Sequence, residues 1–119
     1  MFRYAQYITT YLLPVPPRFR QRAPSVLTAV SGDDVVLPCD VDGEPEPAIS
    51  WRKNQAAIDF TRGDHQYLIE HGGSSLIIPA ADVDDAARYL CVAENAAGVV
   101  TQETNLIVYG QWLSDLFWF

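Results

Sequence analysis

The residues able to do covalent chemistry in this chain are few. Cys39 and Cys91 are its only cysteines, 52 positions apart. A thiol pair can close a disulfide, cycle between redox states or ligate a metal. His65 and His71 are the only histidines. With both cysteines placed in a core, no zinc site of normal ligand spacing exists, and no metal is expected. Serines and aspartates are present without a Gly-x-Ser-x-Gly elbow. No catalytic set and no cofactor are therefore expected. An even cysteine count favours a disulfide in an oxidising compartment; the alternative is a reduced intracellular domain with two unpaired core thiols.

Two acidic groups could hold a cation. One is Asp33, Asp34, Asp40, Asp42, Glu44 and Glu46; the other is Asp82, Asp84 and Asp85. Calcium needs six to eight oxygens at fixed spacing. Neither group has an Asp-x-Asp-x-Asp-Gly loop with a closing bidentate glutamate, so both read as solvated faces. Asp85 reads instead as a corner residue, accepting bonds near a turn that Tyr89 closes. Arg62-Gly63-Asp64 is the tripeptide that integrins recognise. It sets a guanidinium and a carboxylate apart on a turn, and the carboxylate could complete a metal site on the receptor. The same three residues are also ordinary turn composition. Asn54, Asn95 and Asn105 all fail the Asn-x-Ser/Thr pattern, so no asparagine-linked glycan is expected.

The formal net charge of −7 argues against nucleic acid and anionic membrane surfaces as partners, since both need a basic footprint. No apolar run reaches the ~18–20 residues of a membrane span. Proteins are the expected partners.

The elements that position these residues read as short strands. At 119 residues the chain supports one domain. Val15-Pro16-Pro17-Arg18-Phe19 reads as an extended connector stiffened by its prolines. Residues 25–30 form an edge strand. From Val35 to Val41, Val35, Leu37, Cys39 and Val41 share one face. Pro38 lacks an amide donor, so its strand must be unpartnered or bulged there. Residues 42–47 read as an acidic loop. The next strand turns Ile49 and Trp51 inward, and Asn54-Gln55 turns the chain. Short strands are expected at 58–60, 66–70 and 75–79, the last with Leu76 and Ile78 inward. Ala80 to Ala86 forms a bend. Ala87 to Glu94 buries Tyr89, Cys91 and Ala93. Asn95-Ala96-Ala97-Gly98 is a hairpin in which Gly98 is expected to take a positive φ, and Val99 to Tyr109 is the last strand. Seven or eight strands with turn signals every 8–12 residues describe a β-sandwich.

Trp51 follows Cys39 by 12 residues, and Tyr89 stands two before Cys91 within Asp85-x-Ala87-x-Tyr89-x-Cys91. With Gly32, Leu37, Pro47, Leu76, Ile78, Ala93, Asn95 and Gly98, these residues make the stretch from about Ala23 to Tyr109 resemble an immunoglobulin domain of the I-set. The segment Tyr89-Leu90-Cys91-Val92-Ala93-Glu94-Asn95-Ala96-Ala97-Gly98 is especially similar to repeats of hemicentin-like matrix and adhesion proteins. The resemblance implies an all-β immunoglobulin-like sandwich, with two antiparallel sheets in Greek-key arrangement and one inter-sheet disulfide, Cys39–Cys91. It implies structural roles for Trp51, Leu76, Asp85 and Tyr89, and for Arg62 through pairing with Asp85. On this reading residues 1–22 are an extension and linker, 23–109 the domain, and 110–119 an aromatic tail outside it. The ends read as pieces of a longer tandem protein.

The resemblance implies a non-catalytic module of an extracellular or cell-surface tandem array, in adhesion or matrix organisation. An intracellular titin-like ruler, or a binding module of a larger enzyme such as a peroxidase or receptor kinase, are the alternatives. Arg52, Lys53, Leu90, Val92 and Glu94 are the expected outward surface of the second sheet, and strand 25–30 the edge that could augment a partner's sheet.

Overall fold

A computed structural model describes residues 13–61 and 67–110. Its strands are β1 (Val15–Gln21), β2 (Val26–Val30), β3 (Val35–Pro38), β4 (Asp40–Glu44), β5 (Ala48–Lys53), β6 (Ala56–Ala57), β7 (Leu68–Glu70), β8 (Ser75–Ile78), β9 (Ala87–Asn95) and β10 (Gly98–Tyr109). Single 3₁₀ turns occupy His71–Gly73 and Val83–Asp85.

One layer has the order β2-β10-β9-β5-β6. The other combines β1-β4 with β3-β8-β7, because β3 and β4 are one run of chain passing through Cys39. Strand alternation then sorts the side chains. Val35 and Leu37 of β3, Leu76 and Ile78 of β8, Tyr89 and Cys91 of β9, and Leu106 and Val108 of β10 all turn into the space between the layers. Ile49, Ile58 and Phe60 pack partly buried against this core.

Pro38 sits where its missing donor costs nothing. The Cys39 amide donates to Ser74 O at 2.7 Å, toward β8. Successive amides point to opposite sides, so the nitrogen of Pro38 faces past the end of the β1–β4 ladder, whose last pair is Gln21↔Asp40.

Several sequence expectations need correction. Val15–Phe19 is extended but is not a free connector, because β1 pairs antiparallel with β4. Its ladder shifts between Val15 and Arg18, the stretch that holds the donor-less Pro16 and Pro17. Residues 42–44, expected in a loop, belong to β4. The sheets are not wholly antiparallel. β2 runs parallel to β10, from Val26↔Asn105 to Val30↔Tyr109. The chain reaches that edge through a crossover held by Ala23 N–H donating to Gln102 Oε1 at 3.0 Å and Thr104 Oγ1 donating to Pro24 O at 2.9 Å. The strand after the Asn54-Gln55 turn is Ala56–Ala57, earlier than expected. Positive φ at Asn54 (49°) and Gln55 (74°) makes a tight two-residue hairpin that returns the chain at once. Gly98 is not among the residues with positive φ. Its hairpin is closed by a side chain instead, with Ala97 N–H donating to Asn95 Oδ1 at 2.8 Å.

Candidate functional site

Cys39 and Cys91 form a disulfide with Cα atoms 6.3 Å apart, joining the two layers. Trp51 lies directly opposite Cys91 in the β5–β9 register and belongs to the same buried cluster. Its indole Nε1 donates to Gly73 O at 2.8 Å. A buried indole needs such an acceptor. Leu76 is fully buried opposite Leu37. These groups form one unit of packing, shut away from solvent.

The second cluster lies where β9 begins. Tyr89 Oη donates to the carbonyl of Asp85 at 2.6 Å. Tyr67 Oη donates to Asp85 Oδ1 at 3.1 Å and stands 3.4 Å from Tyr89 Oη. Lys53 Nζ donates to Tyr67 Oη at 2.8 Å and to Asp84 O at 3.3 Å, and lies 5.5 Å from the centroid of the Tyr67 ring. Burial pushes the Tyr89 phenol well above the ordinary tyrosine range, helped by its contact with Tyr67. A phenol held neutral as a hydrogen-bond donor is a fastener rather than a proton carrier.

The carboxylates are spent on backbone and arginine. Asp33 Oδ2 accepts from Val30 N–H at 3.0 Å, and Asp34 Oδ1 from Ala80 N–H at 2.9 Å. Asp82 and Asp85 cap the Val83–Asp85 turn reciprocally, with Asp82 N–H donating to Asp85 Oδ2 at 2.8 Å. Arg20 reaches Asp40 at 3.1 Å and Asp42 at 3.4 Å, and Arg18 reaches Asp42 at 3.6 Å. The expectation of two merely solvated acidic faces is thus too coarse: most of these groups hold a named partner. Among the described residues no three His, Cys, Asp or Glu side chains gather as a metal site. Arg62, Gly63, Asp64 and His65 lie outside the described residues.

One surface open to a partner is the outer face of the β5-β9-β10 layer. Alternation along β9 turns Arg88, Leu90, Val92 and Glu94 outward, opposite the buried Ala87, Tyr89, Cys91 and Ala93. In the register, Leu90 lies between Arg52 and Glu103, and Val92 between Ser50 and Thr101. Arg88 and Glu103 form an exposed ion pair at 3.9 Å. Lys53 does not belong to this face. Adjacent strand residues point oppositely, so with Arg52 outward Lys53 turns the other way, into the Tyr67 cluster. β2 lies at the edge of this layer.

A bridged sandwich with an indole opposite the bridge and a tyrosine fastening the corner is the arrangement expected of one domain family. The sequence model of that family, the immunoglobulin I-set domain, matches residues 17–108. The chain belongs to the immunoglobulin I-set family.

Relatives fall in proteins much longer than this one. Neural cell adhesion molecule 1 of Gallus gallus is 37% identical over 101 residues, covering 84% of this chain and 9% of that protein. Human neogenin is 34% identical over 113 residues, covering 92% of this chain and 8% of neogenin. Hemicentin-2 of Mus musculus is 35% identical over 85 residues, covering 71% of this chain and 2% of that protein. The chain thus spans under a tenth of each of these relatives. Among solved structures, Sidekick-1 immunoglobulin domains 1–5 superpose with a TM-score of 0.72 at 30% identity, covering 83% of this chain and 21% of that one. A chimeric titin Z1Z2 gives 0.70 at 32% identity, covering 83% of this chain and all of that one.

Three residues of this I-set domain escaped sequence reasoning. Lys53 and Tyr67 build the corner cluster with Asp85. The parity of Lys53 with Trp51 signalled its inward direction. Asn95 ties three segments: its Nδ2 donates to Val15 O at 2.7 Å and Pro45 O at 3.0 Å, while its Oδ1 closes the hairpin. The asparagine heading a four-residue turn was the available signal, but the long-range acceptors carry none in sequence.

Proposed function

We propose that this I-set domain is a non-catalytic module of an extracellular or cell-surface tandem array, serving adhesion or matrix organisation through protein–protein contacts. The closed Cys39–Cys91 bridge carries the reading. Such a bond persists in oxidising compartments and is rare in the cytosol. It staples a core too small to be robust alone, giving a rigid block that spaces its neighbours. Partners dock on the outer face of the β5-β9-β10 layer, and the exposed edge of β2 offers a strand for augmentation. Redox state tests this. In protein from its native source, mass spectrometry after alkylation without reduction should find both thiols blocked from reagent. Full labelling of Cys39 and Cys91 would overturn it.

The second reading is an intracellular structural domain. The likeness to titin Z1Z2 favours it, at nearly the same TM-score as Sidekick-1. Two labelled thiols in the same measurement would select it.

A further inference from the structure

We propose that the partner of the β9 outer face is a second copy of this chain, docked antiparallel about a two-fold axis that crosses β9 at Cys91. The proposal rests on that face being the docking surface. The outward residues of β9, read in order, are Arg88, Leu90, Val92 and Glu94. Their chemistry is positive, apolar, apolar, negative. That series is its own complement when reversed. Laid over a reversed copy, Arg88 meets Glu94 of the second copy and Leu90 meets its Val92, and symmetry repeats both contacts. The neighbouring strand keeps the match at its middle, while at its ends Val99, beside Glu94, faces Asn105 of the other copy. β10 places Glu103 beside Leu90 and Thr101 beside Val92, so the Glu103 carboxylate faces the Thr101 hydroxyl of the other copy.

The charges also choose the orientation. A two-fold axis along β9 would keep the strands parallel and set Arg88 on Arg88 and Glu94 on Glu94. Like charges brought together cost several kcal/mol, so the antiparallel arrangement is selected. An isologous contact of this kind closes on itself as a dimer. The patch is three strands wide and seven residues long, roughly 15 by 25 Å. That is below the ~800 Å² per partner of a standard stable interface. The net charge of −7 adds long-range repulsion, screened beyond about 10 Å at 0.1 M salt. The single-domain contact is therefore weak. Arrays on apposed surfaces would multiply it through effective concentration.

The experiment is sedimentation velocity of the full chain at rising concentration and near-physiological salt, with Arg88→Glu, Glu94→Arg and the variant carrying both. Wild type should self-associate. Arg88→Glu should be monomeric, because two glutamates then meet at each end. Glu94→Arg should be monomeric because two arginines meet. The double variant restores opposite charges and should associate again. So should an equimolar mixture of the two single variants, in which every end pair is complementary. Arg88 and Glu94 are exposed, and unchanged thermal midpoints verify the fold of each variant. Leu90→Asp, which leaves the end charges alone, should also abolish association. A monomeric wild type at the highest reachable concentration would refute the proposal. So would association that survives both single variants, or a mixture that stays monomeric. None of these results touches the thiol measurement, so the module reading stands or falls separately.

Discussion

Tyr89 fastens the chain four residues upstream of itself: its phenol donates to the backbone carbonyl of Asp85 at 2.6 Å. Asp85 in turn accepts Tyr67 Oη and caps the Val83–Asp85 turn. One residue thereby joins the corner turn, the start of β9 and the segment entering β7. The bridge to Cys39 lies only two residues further along β9. Corner and disulfide therefore brace the same strand from its inward face.

Replacing Tyr89 with Phe should cost about 1–3 kcal/mol, the usual effect of leaving a shielded acceptor without its donor. The pH dependence gives a sharper test. The folded state holds this phenol neutral above its unfolded pKa of about 10. Its contribution is fully present below that value. It is lost as pH rises past it, because the unfolded chain releases the proton first. Above pH 10, urea titrations should show wild type losing stability faster than Tyr89→Phe, by up to one proton's worth of slope. Parallel curves would contradict this.

The Trp51 indole is bonded to Gly73 O, and Gly73 has φ of +99°. A Cβ there would stand 3.2 Å from both Ile49 Cβ and Ile49 O. Gly73→Ala should therefore cost about 1–3 kcal/mol through backbone strain and crowding. Trp51→Phe should cost about 2–4 kcal/mol from the lost bond and the space left behind. The two residues share one contact, so the double variant should cost less than the sum. Circular dichroism during denaturation measures all three.

How much of this was legible depends on the range of the interaction. The buried face of β9 and the run Val35–Leu37–Cys39 follow from period-two alternation, which sequence displays directly. The Asn54-Gln55 turn was legible because turn chemistry is local. The β1–β4 pairing was not. Two prolines suggest a linker, yet each removes only one donor, and the ladder shifts across them. Asp34 looks solvated in sequence because its donor, Ala80 N–H, stands 46 positions away. Gly98 looked like the source of a positive φ, but Asn95 closes that turn from its own side chain. The β9 outer series was readable, and only the register showed what flanks it.

The Arg62-Gly63-Asp64 tripeptide yields a prediction with the opposite sign. Good turn composition explains these residues without a receptor. Asp64→Glu keeps the charge but lengthens the side chain by one methylene, which an integrin metal site should not tolerate. Attachment of integrin-bearing cells to a coated surface should be unchanged by Asp64→Glu. A clear fall in attachment would establish the motif as a working site.

Removing the bridge should produce the largest single loss. Cys39 and Cys91 enclose a span of 52 residues. Constraining the unfolded chain over such a loop is worth about 4 kcal/mol in the chain-entropy model. Both sulfurs are also buried, so Cys39→Ala with Cys91→Ala leaves a gap beside Trp51 that adds to the loss. A domain of this size has a total stability on the order of 5–15 kcal/mol. The doubly substituted chain should therefore unfold at far lower denaturant, or fail to fold at 37 °C. Unfolding midpoints of the wild-type protein with and without reductant make the same comparison without mutation. Equal midpoints would mean that packing alone holds the two layers together.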